Sequence, residues 1–143
     1  MPKLKFERRV PYTPEQMLKL VADMRTYPQF VPNCSNMEVQ PASDDALLAR
    51  MTIRFGPVNQ AYTSRVTVDE EEGTITAHAL DGPFSHLDSC WSFRSEGEGT
   101  DVRFEIDFGF SNPLIAAVAE SAFAAKQDEI LDAFVAEAKR RYA

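Results

Sequence analysis

Cysteine, histidine and glycine are scarce in this chain, and each scarcity removes a class of chemistry. The two cysteines, Cys34 and Cys90, are too few for a disulfide scaffold or a thiolate zinc site. They read as small buried or half-buried residues. The two histidines, His78 and His86, have no ligand-like spacing to each other or to cysteine, which places them at the surface or rim and leaves no metal site. There is no glycine-rich phosphate loop, no Ser-His-Asp arrangement and no HExxH motif. No apolar run approaches the ~20 residues that span a bilayer. The start, Met1-Pro2-Lys3-Leu4-Lys5-Phe6, lacks the apolar stretch of a signal peptide, so a cytoplasmic location is expected. Net positive charge is also missing. At −7, the balance opposes DNA or other nucleic acid binding, which draws most of its affinity from Lys and Arg on phosphates. What basic charge there is gathers at the two ends, at Lys3, Lys5, Arg8 and Arg9 and at Lys139, Arg140 and Arg141.

What is present is a regular pattern of apolar alternation. From Val102 to Phe110 the residues Val102, Phe104, Ile106, Phe108 and Phe110 alternate with Arg103, Glu105 and Asp107. That is the two-residue period of a strand with one buried face. Similar alternation predicts strands over Leu4–Val10, Met37–Gln40, Leu47–Phe55, Val58–Asp69, Thr74–Leu80 and Leu87–Arg94, broken by turn residues such as Pro41 to Asp45, Gly56-Pro57 and Asp81-Gly82-Pro83-Phe84. Thr13-Pro14-Glu15-Gln16 signals a helix start with a capping box and proline in the first turn; that helix is expected to end near Arg25, ahead of Pro28. Tyr27 to Pro32 reads as a rigid aromatic loop or short helical turn. After Ser111-Asn112-Pro113 the period becomes helical to the chain end, with Ile115, Val118, Ala119, Phe123, Ile130, Leu131, Phe134 and Ala138 in a broad, drifting apolar stripe. Consecutive strands on short turns form a meander. The 143 residues favour a single domain, 1–143, of α+β class: an antiparallel meander sheet with one long C-terminal helix laid across it.

That geometry encloses an apolar space. The inward strand positions include Leu47, Met51, Ile53, Phe55, Tyr62, Ser64, Val66, Trp91, Phe93, Phe104, Ile106 and Phe108. Their only polar groups are the Tyr62 and Ser64 hydroxyls, with Arg8 a candidate from the first strand. No acid or base is poised there for catalysis, so a non-enzyme is expected. Two readings of the apolar face stay open: a cavity for a small lipophilic ligand with a few polar handles, or a fully packed core.

Four segments, in order, carry a resemblance that covers nearly the whole chain. They are Val10-Pro11-Tyr12 with Gln16-Met17; Tyr27-Pro28-Gln29-Phe30-Val31-Pro32 with Cys34; Asp81-Gly82-Pro83-Phe84 with Leu87 and Trp91; and Asp107 to Asn112 with Leu114-Ile115. Together they resemble the coenzyme Q-binding protein family of the START superfamily, a polyketide cyclase/lipid transport group that also contains bacterial ribosome-association toxins. The resemblance implies the helix-grip fold. It also implies binding of ubiquinone or a related polyprenyl lipid without a cofactor, in support of respiratory electron transfer as a carrier or chaperone. The ligand-binding candidates are Phe30, Met51, Ile53, Tyr62, Ser64, Phe84, Trp91, Phe93, Phe104, Phe108, Phe123 and Phe134. Phe30 and Phe84 lie on loops, where they would either border an entrance and touch the inner membrane peripherally or cap the core. Within the same group the alternatives are a ribosomal-subunit-binding module that blocks subunit association, which would use a local basic patch at Arg8, Arg9, Arg140 and Arg141, and a polyketide cyclase or aromatase.

Overall fold

A computed structural model describes residues 3–43, 45–55 and 58–142. Asp44 and the Gly56-Pro57 break lie outside the described residues, as does the side chain of Phe55. The seven strands are β1 (Lys3–Val10), β2 (Cys34–Pro41), β3 (Leu47–Phe55), β4 (Val58–Asp69), β5 (Thr74–Ala79), β6 (Phe84–Glu96) and β7 (Gly99–Phe110). They form one antiparallel sheet in the order β1-β7-β6-β5-β4-β3-β2. The meander is therefore continuous from β2 to β7, and β1 returns to pair along β7. Three helices accompany it: α1 (Pro14–Ala22), α2 (Tyr27–Phe30) and α3 (Pro113–Tyr142).

The helix starts follow their local chemistry. Thr13 Oγ1 accepts from Gln16 N–H at 3.1 Å, and Gln16 Oε1 accepts from Thr13 N–H at 2.9 Å, closing the capping box of α1. Asn112 Oδ1 accepts from Leu114 N–H at 2.8 Å and caps α3. The helix α1 stops at Ala22 rather than near Arg25. A 3-10 turn over Met24–Thr26 follows, and Pro28 sits in the first turn of α2, where its missing N–H costs nothing. Three strands begin three residues before the alternation predicted, β2 at Cys34, β6 at Phe84 and β7 at Gly99; β2 and β6 each carry an irregularity in their first residues that hides the strand from a strict two-residue count.

The core sits between the inner face of the sheet, α1 and α3. Phe108, Leu20, Met17, Leu131 and Ala138 are all 1% exposed or less. The α3 stripe is buried at Ala119, Phe123, Gln127, Leu131, Phe134 and Ala138, whereas Val118, predicted to lie on the stripe, is 63% exposed. In the first turns of α3, Leu114 is exposed along with Val118, whereas Ile115 and Ala116 pack against the core.

The C-terminal half of α3 is clamped by charge. Glu137 is buried; it accepts from Arg140 Nε at 2.9 Å and Arg141 Nε at 2.8 Å, and Arg141 reaches on to Asp23 and Thr26 beside α1. These guanidinium bonds, that of Arg140 first, hold the Glu137 carboxyl down at about 2. Its folded pKa lies below the unfolded value. Its stabilisation is therefore complete above the ordinary carboxylate range and disappears as pH falls from about 4.5 towards 2. Thermal melts across that window should show the wild-type midpoint falling more steeply than that of Glu137→Gln, which cannot titrate there.

About one to three turns before Glu137, Arg8 of β1 donates to Asp128 and Asp132. Arg8 is thus a clamp between sheet edge and helix. It does not supply a polar group to the interior, as the sequence had left open, because two acids lie within its reach.

Candidate functional site

Between the sheet and α3 lies a cavity of about 150 Å³. It exists because a band of sheet positions carries small side chains. Ala49 on β3 faces Ser64 on β4, and Ala77 on β5 faces Ser89 on β6; all four border the cavity. Larger residues close it on either side: Ile53, Tyr62, Val66, Trp91, Phe104 and Ile106 from the strands, and Phe123, Ile130 and Phe134 from α3. The half-buried residues Pro32, Asn33, Met37, Lys126 and Ile130 complete the lining.

Of the predicted ligand contacts, Met51, Ile53, Tyr62, Ser64, Trp91, Phe104, Phe123 and Phe134 are brought together around this cavity. Phe30, Phe84, Phe93 and Phe108 do not line it. Phe93 stacks on Trp91 at 6.1 Å and pairs in register with Val102, further along the core. Phe108 is fully buried against Phe123 and Phe110. Phe84 is buried between Tyr62, Phe110 and Phe123, with ring centroids 5.1–5.4 Å away, and so caps the core instead of bordering a loop entrance. Phe30 is half-buried, edge-on to Tyr27 and Phe134 and under the Arg141 guanidinium. Phe30 and Phe84, expected on loops, lie instead at the end of α2 and the start of β6, and of the two roles left open for Phe84 its packing fits capping the core. The exposed large apolar residues among those described are Leu80, Leu114 and Val118. They share one end of the molecule, where Ser111 N–H donates to Pro83 O at 3.0 Å and ties the start of α3 to the β5–β6 loop.

Several lining residues were missed. Ala49, Ala77 and Ser89 are in phase with Met51, Ile75 and Trp91, so alternation placed them on the inner face; small size made them look uninteresting. Gln127 is one helical turn from Phe123 and is buried, its Nε2 donating to Phe123 O at 3.0 Å. Lys126 keeps its ammonium outside on Glu129 at 2.9 Å while its stem borders the cavity.

The polar groups of the lining are few and unequal. The Tyr27 hydroxyl is engaged, donating to Val21 O. The Tyr62 hydroxyl donates to Met51 Sδ at 3.4 Å, and a thioether is a weak acceptor. Burial pushes the Tyr62 phenol well above its ordinary range, so it is a neutral O–H donor at physiological pH. Burial likewise lifts the Cys34 thiol to about 11, which keeps it protonated and unreactive. Asn33, at φ +66°, is pinned to Arg54: its Nδ2 donates to Arg54 O at 2.7 Å, and its carbonyl accepts from Arg54 N at 2.9 Å. Its Oδ1 is buried without a partner. No cluster of metal-holding side chains occurs among the described residues.

The basic residues named for a surface patch are all paired. Arg8 holds Asp128 and Asp132, Arg9 lies 3.5 Å from Glu96, and Arg140 and Arg141 hold Glu137.

Comparison with known proteins matches this arrangement to one group. The ribosome association toxin RatA of Pseudomonas aeruginosa is 30% identical over 134 residues, covering 93% of this chain and 92% of that protein. The mitochondrial coenzyme Q-binding protein COQ10 of Drosophila melanogaster is 29% identical over 137 residues, 92% of this chain and 56% of that protein. A START superfamily protein from Mycobacterium smegmatis superposes with a TM-score of 0.83 at 14% identity over 96% of this chain and 97% of its own. The Zhui aromatase/cyclase from Streptomyces superposes at 0.84 with 17% identity over 99% and 96%. Both structures share the helix-grip fold seen here. The family model described as polyketide cyclase/dehydrase and lipid transport matches residues 10–135. The chain belongs to that polyketide cyclase/dehydrase and lipid transport family.

Proposed function

We propose that this protein binds ubiquinone or a related polyprenyl quinone by its ring and serves as a non-catalytic carrier or chaperone in respiratory electron transfer. The observation that carries the reading is the Tyr62 hydroxyl, a buried neutral donor whose acceptor is only a thioether, standing in a cavity lined mainly by apolar side chains. A ring carbonyl is the stronger acceptor such a donor lacks. At about 150 Å³ the space matches one six-membered ring, since an apolar cavity of that size takes up benzene. Catalysis is disfavoured because the lining offers no free base: Tyr62 stays protonated, and Lys126 is drawn out to Glu129.

Trp91 is the single tryptophan and borders the cavity, so its fluorescence reports occupancy. Titration with a short-chain ubiquinone should give saturable quenching. Tyr62→Phe should raise Kd about tenfold, the worth of one hydrogen bond at a buried site. Unsaturable quenching in the wild type would end the carrier reading.

A carrier of a membrane lipid must meet the bilayer. Leu80, Leu114 and Val118 are the exposed apolar residues for that contact, in place of the packed Phe30 and Phe84. Flotation with neutral phosphatidylcholine vesicles should be lost in Leu114→Ser/Val118→Ser and retained in Phe30→Ser; the reverse pattern would return the contact to the aromatic loop.

The relatives named as ribosome association toxins support a second reading, a ribosomal-subunit-binding module. The pairing of Arg8, Arg9, Arg140 and Arg141 with acids leaves little free positive charge for RNA. Salt-sensitive co-sedimentation with ribosomal subunits would favour it.

A further inference from the structure

The cavity is sized for a ring, and both of its ends under the helix are shut. Its volume is about 150 Å³, a space that one benzene molecule occupies. Along α3 the lining runs from Phe123 to Phe134, three helical turns or about 16 Å. A cluster of rings stands at each end of that stretch. Phe84, Phe108 and Phe110 meet Phe123 with centroids 4.6–5.8 Å away. Trp91, Tyr27 and Phe30 meet Phe134 at 5.0–5.2 Å. These are contact distances for aromatic pairs, so among the described residues the cavity does not continue beneath the helix past either cluster. A core packed in this way yields little extra volume, because added methylenes force side chains off their rotamers.

Resting on the quinone-carrier reading, we infer that the cavity encloses the ring alone and leaves the polyprenyl tail outside it. An isoprene unit has five carbons, nearly the six of benzene. Once the ring is seated, the first unit of the tail would need a second space of almost the same size. The way out passes Lys126, whose unbranched stem borders the cavity while its ammonium sits at the surface on Glu129. The protein thus holds the lipid by its head. Tail length does not enter the recognition, and lipids that share the ring but differ in prenyl number are equivalent cargo.

The test is titration of the full chain with three quinones that share the ubiquinone ring: one without a tail, one with a single isoprene unit and one with two. Each Kd is read from the saturation of Trp91 emission. The expected result is three values alike within about fourfold, the worth of a single CH₂ group, with all three quinones lost in Ala49→Leu, which fills the cavity. Enclosed in the interior, each unit would instead tighten binding on the order of a hundredfold. A gain of about tenfold or more per unit would overturn the inference and leave the carrier reading standing. So would a tailed quinone that binds while the tail-less ring does not. Tailed quinones that still bind Ala49→Leu would reveal a separate site for the tail and overturn it as well. Failure of all three to bind the wild type would remove the carrier reading and the ring socket with it.

Discussion

Ala49→Leu is expected to abolish quinone uptake while leaving the fold as stable as before or more so. Ala49 is 4% exposed, faces Ser64 across β3 and β4, and borders the cavity. Leucine adds three carbons to that space. If the space is empty and apolar, their burial contributes up to about 2 kcal/mol, a rise of several degrees in Tm for a chain of this length. If the interior were close-packed, the same substitution would overpack it and cost about 1–3 kcal/mol. Thermal melts thus separate the cavity from the packed core that the sequence left open. The ring is excluded in either case, and Kd for a short-chain ubiquinone should rise on the order of 100-fold or more, equivalent to ~2.8 kcal/mol. A stabilised variant that still binds would move the site elsewhere.

Phe134→Ala is expected to be the most destabilising single truncation in α3. Phe134 is 2% exposed, and its ring meets those of Trp91, Phe30 and Tyr27 at 5.0–5.2 Å. It is the contact through which the helix grips both the sheet and the α2 turn. Truncation should cost about 3–5 kcal/mol, lowering Tm by roughly 10 °C, and Trp91 emission should shift to the red as water reaches it. The truncation also widens the cavity. Saturating ligand should therefore recover part of the loss, since binding to the native state alone adds about 2.7 kcal/mol at a hundred times Kd. A loss under about 1 kcal/mol would mean that the helix is held chiefly by the Glu137 and Arg8 clamps.

The architecture was legible because alternation is a local signal. Val102 to Phe110, Leu47 to Phe55 and the Thr13–Gln16 box each declared their element without reference to the rest of the chain. The edges were less so. β6 starts at Phe84 because Phe84 pairs with Phe110 across the sheet, a partner 26 residues away that no window around Asp81-Gly82-Pro83 contains. The face of each residue was readable from phase, which is why Met51, Tyr62, Trp91 and Phe104 were assigned to the interior. Whether that interior is filled depends on how side chains from different strands add up, and Ala49, Ser64, Ala77 and Ser89 make room only as a set. Large aromatics drew attention instead, and Phe84, Phe93 and Phe108 turned out to be packing. The charge pairs Arg8–Asp128 and Arg141–Asp23 join residues more than a hundred positions apart. The sequence therefore left a basic patch open where the structure has clamps.

The most direct measurement is organic extraction of the purified protein, with mass spectrometry and a quinone absorbance scan of the extract. The account predicts a polyprenyl quinone or quinol near one equivalent per chain, absent from Ala49→Leu prepared in the same way. A protein that yields none, and takes up none when incubated with added ubiquinone, would contradict it and leave ribosomal subunits as the partner to test.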